Sequence, residues 1–538
     1  MSPDSPLPAA RPRPQGLAEL EQPGLAALVQ LAQTTAQTHP TRGIGPRLQG
    51  EIREHSARPG ADPGRLRAGD GGVGTDSVPP RQDRLGVIPR ARLSVKRQQA
   101  LIPPVAVAIA FWVSRHVAAL SRATGHSYVL PVTWAVMGAL VIINLVLAWT
   151  ERTATVTSRQ QRQLDQLRVT VNVPVYNEDS DALRLTVRSL FGQSRLPDCI
   201  YIVDDGSGCD YAAVIAEFEA LAALYPSVEA RWVRTRNGGK RHAQLVTFGG
   251  DRAADIFVTL DSDTVLDEAA IEEGLKPFTD PQVSSVAGVL LALNATRNLF
   301  TRLTDTWLMT FQSNTRSAWS RLGCVLINSG GLSFYRAAVI RPALPSYLSE
   351  TFAGREVRFS DDSMLTLFAL LSGRTVQQPT AFAFTVMPDN ISHHVRQQLR
   401  WMRGNVIRSF WWFRYLPVRG FAFWQAVLAW ALFTVMTVLL VDLFVVGPLT
   451  GHPAPVLSLP LFLAITYVTG ARSLTVRRSD MPRRAQLGAY ALMPIISLWT
   501  TVVLRVLRLY STATVLKTGW GTRAQVENRL ATAEDARA

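Results

Sequence analysis

The chain has few of the residues that staple small or metal-bound folds. Among its 538 residues only three are cysteine, at Cys199, Cys209 and Cys324. An odd, widely spaced set excludes a disulfide scaffold, and no thiolate pair has zinc-site spacing. Charged side chains are also scarce, 18% of the chain against roughly 25% in soluble domains. With 47% hydrophobic residues, this argues against an all-soluble enzyme. Acidic charge is the rarer sign: 41 Asp and Glu face 56 Lys and Arg, a formal net charge of +15. That balance suits nucleic acid, an anionic membrane surface or a phosphate-bearing substrate, and does not choose among them. No Gly-x-x-x-x-Gly-Lys-Ser/Thr is present, so the chain is not a P-loop nucleotidase. No apolar stretch follows Met1, so a cleaved secretory signal is not expected.

Composition changes sharply along the chain. Residues 1–95 are rich in Pro, Arg, Gly and Ala without apolar periodicity, and are expected to be a disordered basic arm. Tyr128–Trp149 then runs for 22 residues without a charge. A bilayer core needs about 20 apolar residues in a helix, so this run reads as a spanning helix. Leu101–Ser114 reads as its partner, giving two spans over 100–150. Further uncharged runs at Phe421–Val441 and Pro453–Ala471 predict two more. The loop Arg472–Arg484 holds five arginines and one aspartate, which by the positive-inside rule makes it cytoplasmic.

Between these runs, over 165–390, the pattern is different. Short β-rich runs at Val169–Val175, Ile200–Val203, Ala230–Val233, Ile256–Leu260 and Ser285–Leu291 alternate with helical segments such as Asp181–Phe191 and Tyr211–Leu224. This alternation predicts an α/β unit with a mainly parallel sheet, in which ligands gather at the carboxyl ends of strands.

The acidic motifs sit at those ends. Pro174, Tyr176 and Glu178 follow the first predicted strand; Asp204 and Asp205 follow the second. Asn237-Gly-Gly-Lys-Arg241 is a small-residue turn delivering Lys240 and Arg241, and Asp261-Ser-Asp263 ends the run at Leu260. Taken singly, each is an ordinary turn. Taken in order on one α/β unit, they read as a nucleotide-diphosphate site. Carboxylates at Asp261 and Asp263 suit Mg2+ or Mn2+ bridging to phosphate oxygens. Paired aspartates accept hydrogen bonds from base and ribose, and Lys240 and Arg241 neutralise phosphate. Next come Ser360-Asp361-Asp362 and Gln397-Gln-Leu-Arg400-Trp401, with Arg403 close behind. Gln397, Arg400 and Trp401 share one helix face; the arginine suits a phosphate and the ring a sugar. Residues 391–420 are expected to be interfacial helices, with Phe410–Phe413 as an aromatic belt.

These motifs, over about residues 100–523, resemble the membrane-embedded, processive family 2 glycosyltransferases of the cellulose synthase superfamily. Asn328-Ser-Gly-Gly-Leu-Ser333 and Trp520-Gly-Thr-Arg523 are most similar to hyaluronan and chitooligosaccharide synthases. The chain departs from their pattern at Ser360, where glycine is usual, and at Gly331, where proline is usual. The resemblance implies an α/β GT-A-type domain inserted between transmembrane helices of a multi-pass protein, and inverting transfer from a UDP-sugar. It implies Pro174, Tyr176, Glu178, Asp204, Asp205, Lys240, Arg241, Asp261, Arg400, Arg403, Trp520 and Arg523 at the nucleotide sugar. Asp261 and Asp263 would hold Mn2+ or Mg2+, Asp362 with Asp361 would supply the base, and Ser329, Gly330, Gln397 and Trp401 would meet the acceptor. Trp520 closes over UDP only from the cytoplasmic side. The run Ala485–Leu504, within 485–516, must therefore re-enter or lie in the interface, with a break near Pro494, before the tail at 517–538.

The resulting expectation is a plasma-membrane polysaccharide synthase with its catalytic domain and both termini cytoplasmic. Its partners would be a UDP-sugar donor, a growing polysaccharide and the bilayer, and not nucleic acid. The rivals are a non-processive transferase acting on a lipid carrier, and a transporter carrying a regulatory sugar-nucleotide domain.

Overall fold

The computed structural model describes residues 88–94, 129–451 and 454–519, with isolated positions between 108 and 122. The expected basic arm up to residue 87, nearly all of Leu101–Ser114, and both Trp520 and Arg523 lie outside the described residues.

The centre is an eight-stranded sheet. Its strands are β1 (Val169–Val175), β2 (Cys199–Asp204), β3 (Glu229–Arg234), β4 (Ile256–Thr259), β5 (Thr264–Leu266), β6 (Val283–Ala292), β7 (Ser333–Arg336) and β8 (Arg374–Thr385). Across the sheet they stand in the order β3-β2-β1-β4-β7-β6-β8-β5. Every residue of β1, β2, β4 and β6 is buried, as expected of strands covered on both faces. In β1 the valines at 169, 171, 173 and 175 join the main apolar core. Thr170 and Asn172 turn to the other face, where Thr170 donates to Asp251 at 2.6 Å and Asn172 accepts from Thr247 at 2.7 Å.

The sheet is mixed, which corrects the expectation of a mainly parallel one. The half containing β1–β4 is parallel. Beyond it β7 runs antiparallel to both β4 and β6, and β5 antiparallel to β8. The reversal has a consequence for function. In a parallel neighbour of β4, the residues preceding the strand would lie at the opposite edge. Because β7 is reversed, with Ser333 paired to Thr259, the Ser329–Leu332 loop arrives where β1, β2 and β4 end.

Helices pack on the sheet, among them α2 (Ser180–Phe191), α3 (Ala212–Leu224), α4 (Lys240–Gly250), α5 (Leu299–Thr310) and α6 (Asp361–Ser372). Before them α1 (Val129–Trp149), and after them α7 (Ile391–Tyr415), pack against other helices. Asp179 caps α2 through the amides of Asp181 and Ala182, and Asn390 caps α7 through the amide of His393. The single helix α7 carries both the Gln397–Trp401 motif and the aromatic run. Only part of that run faces outward: Phe410 and Phe413 are exposed, whereas Trp412 is buried and Trp411 donates to Glu350 at 2.9 Å. Successive residues on a helix point about 100° apart, so four aromatics in a row cannot share one face.

The apolar helices α8 (Phe421–Val441) and α9 (Ala454–Gly470) follow. The helical path of α8 continues through a π-turn at Asp442–Val446, which puts Asp442 inside the path rather than at its end. Arg472, just past α9, pairs with Glu151, just past α1, at 2.7 Å and buried. The expected third run is broken: one helix covers Arg483–Ala491, and α10 (Met493–Ala513) begins with Pro494 in its first turn. Helix α10 continues well past Leu504 and lies along α7. Trp499 packs near His394, with ring centroids 6.1 Å apart, and Thr514 just beyond α10 accepts from Arg403. Two helices among the described residues are long and apolar enough to cross a bilayer, Phe421–Val446 and Met493–Ala513.

Candidate active site

Four loops converge at the sheet edge where β1, β2 and β4 end. After β2, Asp204 accepts from the amide of Ser207 at 2.8 Å, closing a tight turn. Asp205 accepts from the amides of Gly238 and Gly239 at 2.8 and 2.7 Å, and so holds the turn that starts α4. Both aspartates are buried and bind backbone. After β1, Glu178 is buried and accepts from the Ser262 hydroxyl at 2.7 Å, locking the Asp261-Ser-Asp263 turn from behind.

Lys240 opens α4 and is the electrostatic hub. Its Nζ lies 2.7 Å from Asp261 and 3.0 Å from Asp361, so one ammonium joins the turn after β4 to the start of α6. Burial disfavours its charge, but Asp261 and Asp361 outweigh that and raise its pKa, keeping it protonated. Gly330 lies against the same pair. A Cβ there would stand 3.3 Å from an Asp261 oxygen and 3.4 Å from Lys240 Nζ, so any side chain would press on that pair. Asp263 accepts from Thr385 at 3.2 Å.

Asp361 and Asp362 begin α6 and behave differently. Burial alone would raise Asp361, but Lys240 and then Arg241 hold it below the usual carboxylate range. It also accepts from Gln244 at 3.2 Å. Asp362 is half-buried. Burial first, and then the charge of Asp361, push it up to about 7. Two adjacent carboxylates whose environments drive them apart are the pattern of an acid–base site. Ser360 before them has φ 57°, the left-handed region where glycine is favoured. The helix carrying Trp401 docks on this turn through Gly404, whose added Cβ would stand 1.7 Å from Ser360 Oγ.

Of the two cations in the Asn237–Arg241 turn, only Lys240 joins this corner. Arg241 is buried away from Lys240, where it donates to the carbonyls of Tyr347 and Phe359 at 2.9 Å and pairs with Glu350 at 2.5 Å. Helical geometry turns it about 100° from its neighbour, into the protein. Arg403 is held by Thr514 at 3.1–3.2 Å. Trp401 is 41% exposed and Gln397 and Arg400 are half-buried, all on α7. The described chain ends beside the acidic turn, because Thr518 accepts from the amide of Arg358 at 3.3 Å.

The sequence reading missed Glu350 and Arg408. Arg408 is fully buried and pairs with Glu350 at 3.0 Å; with Arg241 they form an Arg–Glu–Arg cluster. Arg408 also donates to Ser363 at 3.1 Å, fastening α7 to the acidic turn. One sequence signal was available: Gly404, Arg408 and Trp411 recur at helical spacing and form an inward stripe.

A family model described as glycosyltransferase like family 2 matches residues 166–404. A hyaluronan synthase of Streptococcus pyogenes is 35% identical over 364 residues, 67% of this chain and 84% of that one. An N-acetylglucosaminyltransferase of Azorhizobium caulinodans is 37% identical over 241 residues, 44% of this chain and 59% of that one. Among solved structures, a mannosyltransferase from Pyrobaculum calidifontis in complex with GDP-mannose and Mn2+ overlays with a TM-score of 0.40 and 18% identity. That overlay covers 73% of this chain and 99% of the other.

Proposed function

Because the chain belongs to glycosyltransferase family 2 and is a hexosyltransferase, we propose that it is a processive, inverting polysaccharide synthase that uses UDP-sugars. The observation that carries this reading is Lys240 Nζ within 3.0 Å of both Asp261 and Asp361, beside an Asp362 whose carboxyl sits at about 7. One corner thereby offers a fixed cation for a leaving diphosphate and a carboxylate able to take a proton at neutral pH.

In this mechanism Asp362 accepts the proton of the acceptor hydroxyl. The hydroxyl oxygen attacks the anomeric carbon, the bond to the UDP oxygen breaks, and UDP leaves with its charge facing Lys240. Asp361, held ionised by Lys240, raises the basicity of Asp362 without competing for the proton. Asp204 and Asp205 shape the nucleotide end by fixing their loops, and retain unused lone pairs for base and ribose. Ser329, Gly330, Gln397 and Trp401 face the acceptor end, and Arg400 serves the diphosphate.

Among the described residues no three His, Cys, Asp or Glu side chains stand together as a metal site. Asp261 with Asp263 still fits Mg2+ or Mn2+, which are bound through one or two carboxylates plus substrate phosphates. Such an ion supplies charge neutralisation at the diphosphate.

The apolar helices support a multi-pass plasma-membrane protein with the catalytic domain on the cytoplasmic face. Helix α10 lies along α7 near both its ends, which supports an interfacial path for this helix. A polar polymer needs such a bundle to cross lipid. The test is purified protein in nanodiscs given radiolabelled UDP-sugars singly and in pairs. A long, β-linked polymer is expected; a short glycolipid product would overturn processive synthesis.

A further inference from the structure

Arg316 has no part in the mechanism above, yet it is fully buried and every side of its guanidinium is engaged. It closes a π-turn at Phe311–Arg316, a local irregularity that is frequent at functional sites. Its Nε donates to Gln377 of β8 at 2.6 Å. One Nη donates to the carbonyl of Gly288 in β6 and to Gln312, the latter at 2.6 Å. The other Nη donates to the Ser329 hydroxyl at 2.6 Å. The first three partners are scaffold. Gln312 is itself clamped to Leu290 of β6 through both amide and carbonyl. The fourth belongs to the loop whose next residue, Gly330, lies against Asp261 and Lys240.

The chain of contacts continues outward. Gln377 donates to Glu151 at 3.3 Å, and Glu151 pairs with Arg472 at 2.7 Å. Glu151 follows α1 and Arg472 follows α9, so the buried network begins at the ends of two apolar helices and finishes at the reaction corner. All four acceptors around Arg316 are uncharged. A neutral side chain of similar volume would leave several buried acceptors unmet, and lysine cannot match a planar fork of fixed donors.

We propose that Arg316 is the positioning residue for the Ser329–Gly330 loop, and that Gln377, Glu151 and Arg472 tie its orientation to the seating of α1 and α9 on the domain. The acceptor side of the proposal rests on the reading that this loop faces the acceptor sugar.

The test uses the full chain in nanodiscs with UDP-N-acetylglucosamine as donor and N-acetylglucosamine as acceptor, scoring transfer and acceptor-free donor hydrolysis separately. Ser329→Ala is expected to raise acceptor KM about tenfold, the scale of one charge-assisted hydrogen bond. Arg316→Lys is expected to do the same, and the double variant to be no worse than either, because both remove one interaction. In Arg316→Lys, donor hydrolysis should stay within about twofold of the starting protein, well inside that scale. Glu151→Gln should shift acceptor KM in the same direction by about threefold, a partial loss of the same bond. Additive effects of Ser329→Ala and Arg316→Lys would overturn the positioning role. So would an equal fall of transfer and hydrolysis with a lowered melting temperature, which is what a purely structural arginine predicts. An unchanged acceptor KM in Glu151→Gln would overturn the tie to the helices. A coupled shift in donor KM instead would uphold the positioning role and refute the acceptor assignment.

Discussion

Lys240 and Arg241 are neighbours with the same charge, and the fold sends them to opposite surroundings. Lys240 faces the cleft, about a fifth exposed, between two carboxylates that belong to different loops. Arg241 enters a sealed cluster with Glu350 and Arg408, in which all three side chains are nearly or fully excluded from water. The Glu350 carboxyl is held below its usual range, since Arg408 and Arg241 outweigh the effect of burial. A buried ion cluster of this kind is weak evidence for net stability, but breaking it by removing one partner is strongly destabilising. The cleft cluster is open enough to exchange a partner for substrate. The sealed one fixes α4, α7 and the acidic turn in register.

The two clusters should therefore fail in different ways. The largest expected effect is on the cleft side. Asp362→Asn should lower synthesis by about 10²–10⁴-fold, the usual contribution of a positioned base, while UDP binding is retained in a direct binding measurement. In the starting protein, activity should rise with pH and reach half its maximum near pH 7, because Asp362 acts only when deprotonated. The sign for stability is opposite. A carboxyl raised in the folded state destabilises that state as pH climbs through 7, so Asp362→Asn should melt higher than the starting protein at pH 8. Loss of UDP affinity in this variant would move Asp362 out of the base role.

Lys240→Met should cost roughly 10²-fold in rate, in line with loss of one preorganised charge donor. Arg241→Met should do the reverse. It should lower stability by about 3 kcal/mol, the scale of a broken buried pair, and leave donor KM in the surviving folded protein near its starting value. Denaturant unfolding and steady-state kinetics on both variants decide the comparison. A donor-KM defect confined to Arg241→Met would erase the distinction between the clusters.

A smaller effect tests the joint between them. Gly404→Ala should impair folding and activity together, because its Cβ meets Ser360 Oγ and Cβ. Ser360→Gly removes both atoms and should rescue Gly404→Ala substantially. Alone, Ser360→Gly should stabilise by about 1 kcal/mol by relieving a left-handed non-glycine residue. A double-mutant cycle reads the coupling, and its absence would mean that α7 docks elsewhere.

Much of the architecture was legible because it is written in local pattern. The valines of Val169–Val175 alternate, acidic turns follow strands, and α2 and α3 start and stop within a few residues of their predicted bounds. The strand reversal at β7 was not legible. Ser333–Arg336 is only four residues long, and its direction depends on partners distant in sequence. Arg374–Thr385 was hidden as a strand by Pro379 and by an irregular register between Gln377 and Phe382. The same irregular stretch supplies the Gln377 that meets Arg316.

From its sequence alone, then, the chain's α/β centre, the apolar helices α1, α8 and α9, and the order and identity of its acidic motifs were determined. Those properties arise from side-chain periodicity and turn chemistry within about ten residues. Which motif residues share space was decided only by the tertiary structure. Whether a cation meets substrate or a buried glutamate depends on a 100° turn of helix α4 relative to a sheet built from strands more than a hundred residues apart. Asp362 likewise gains its raised pKa from burial and from Asp361, whose own charge is held by Lys240 some 120 residues earlier. Electrostatic environment is a property of enclosed space, and enclosure exists only once the chain has folded.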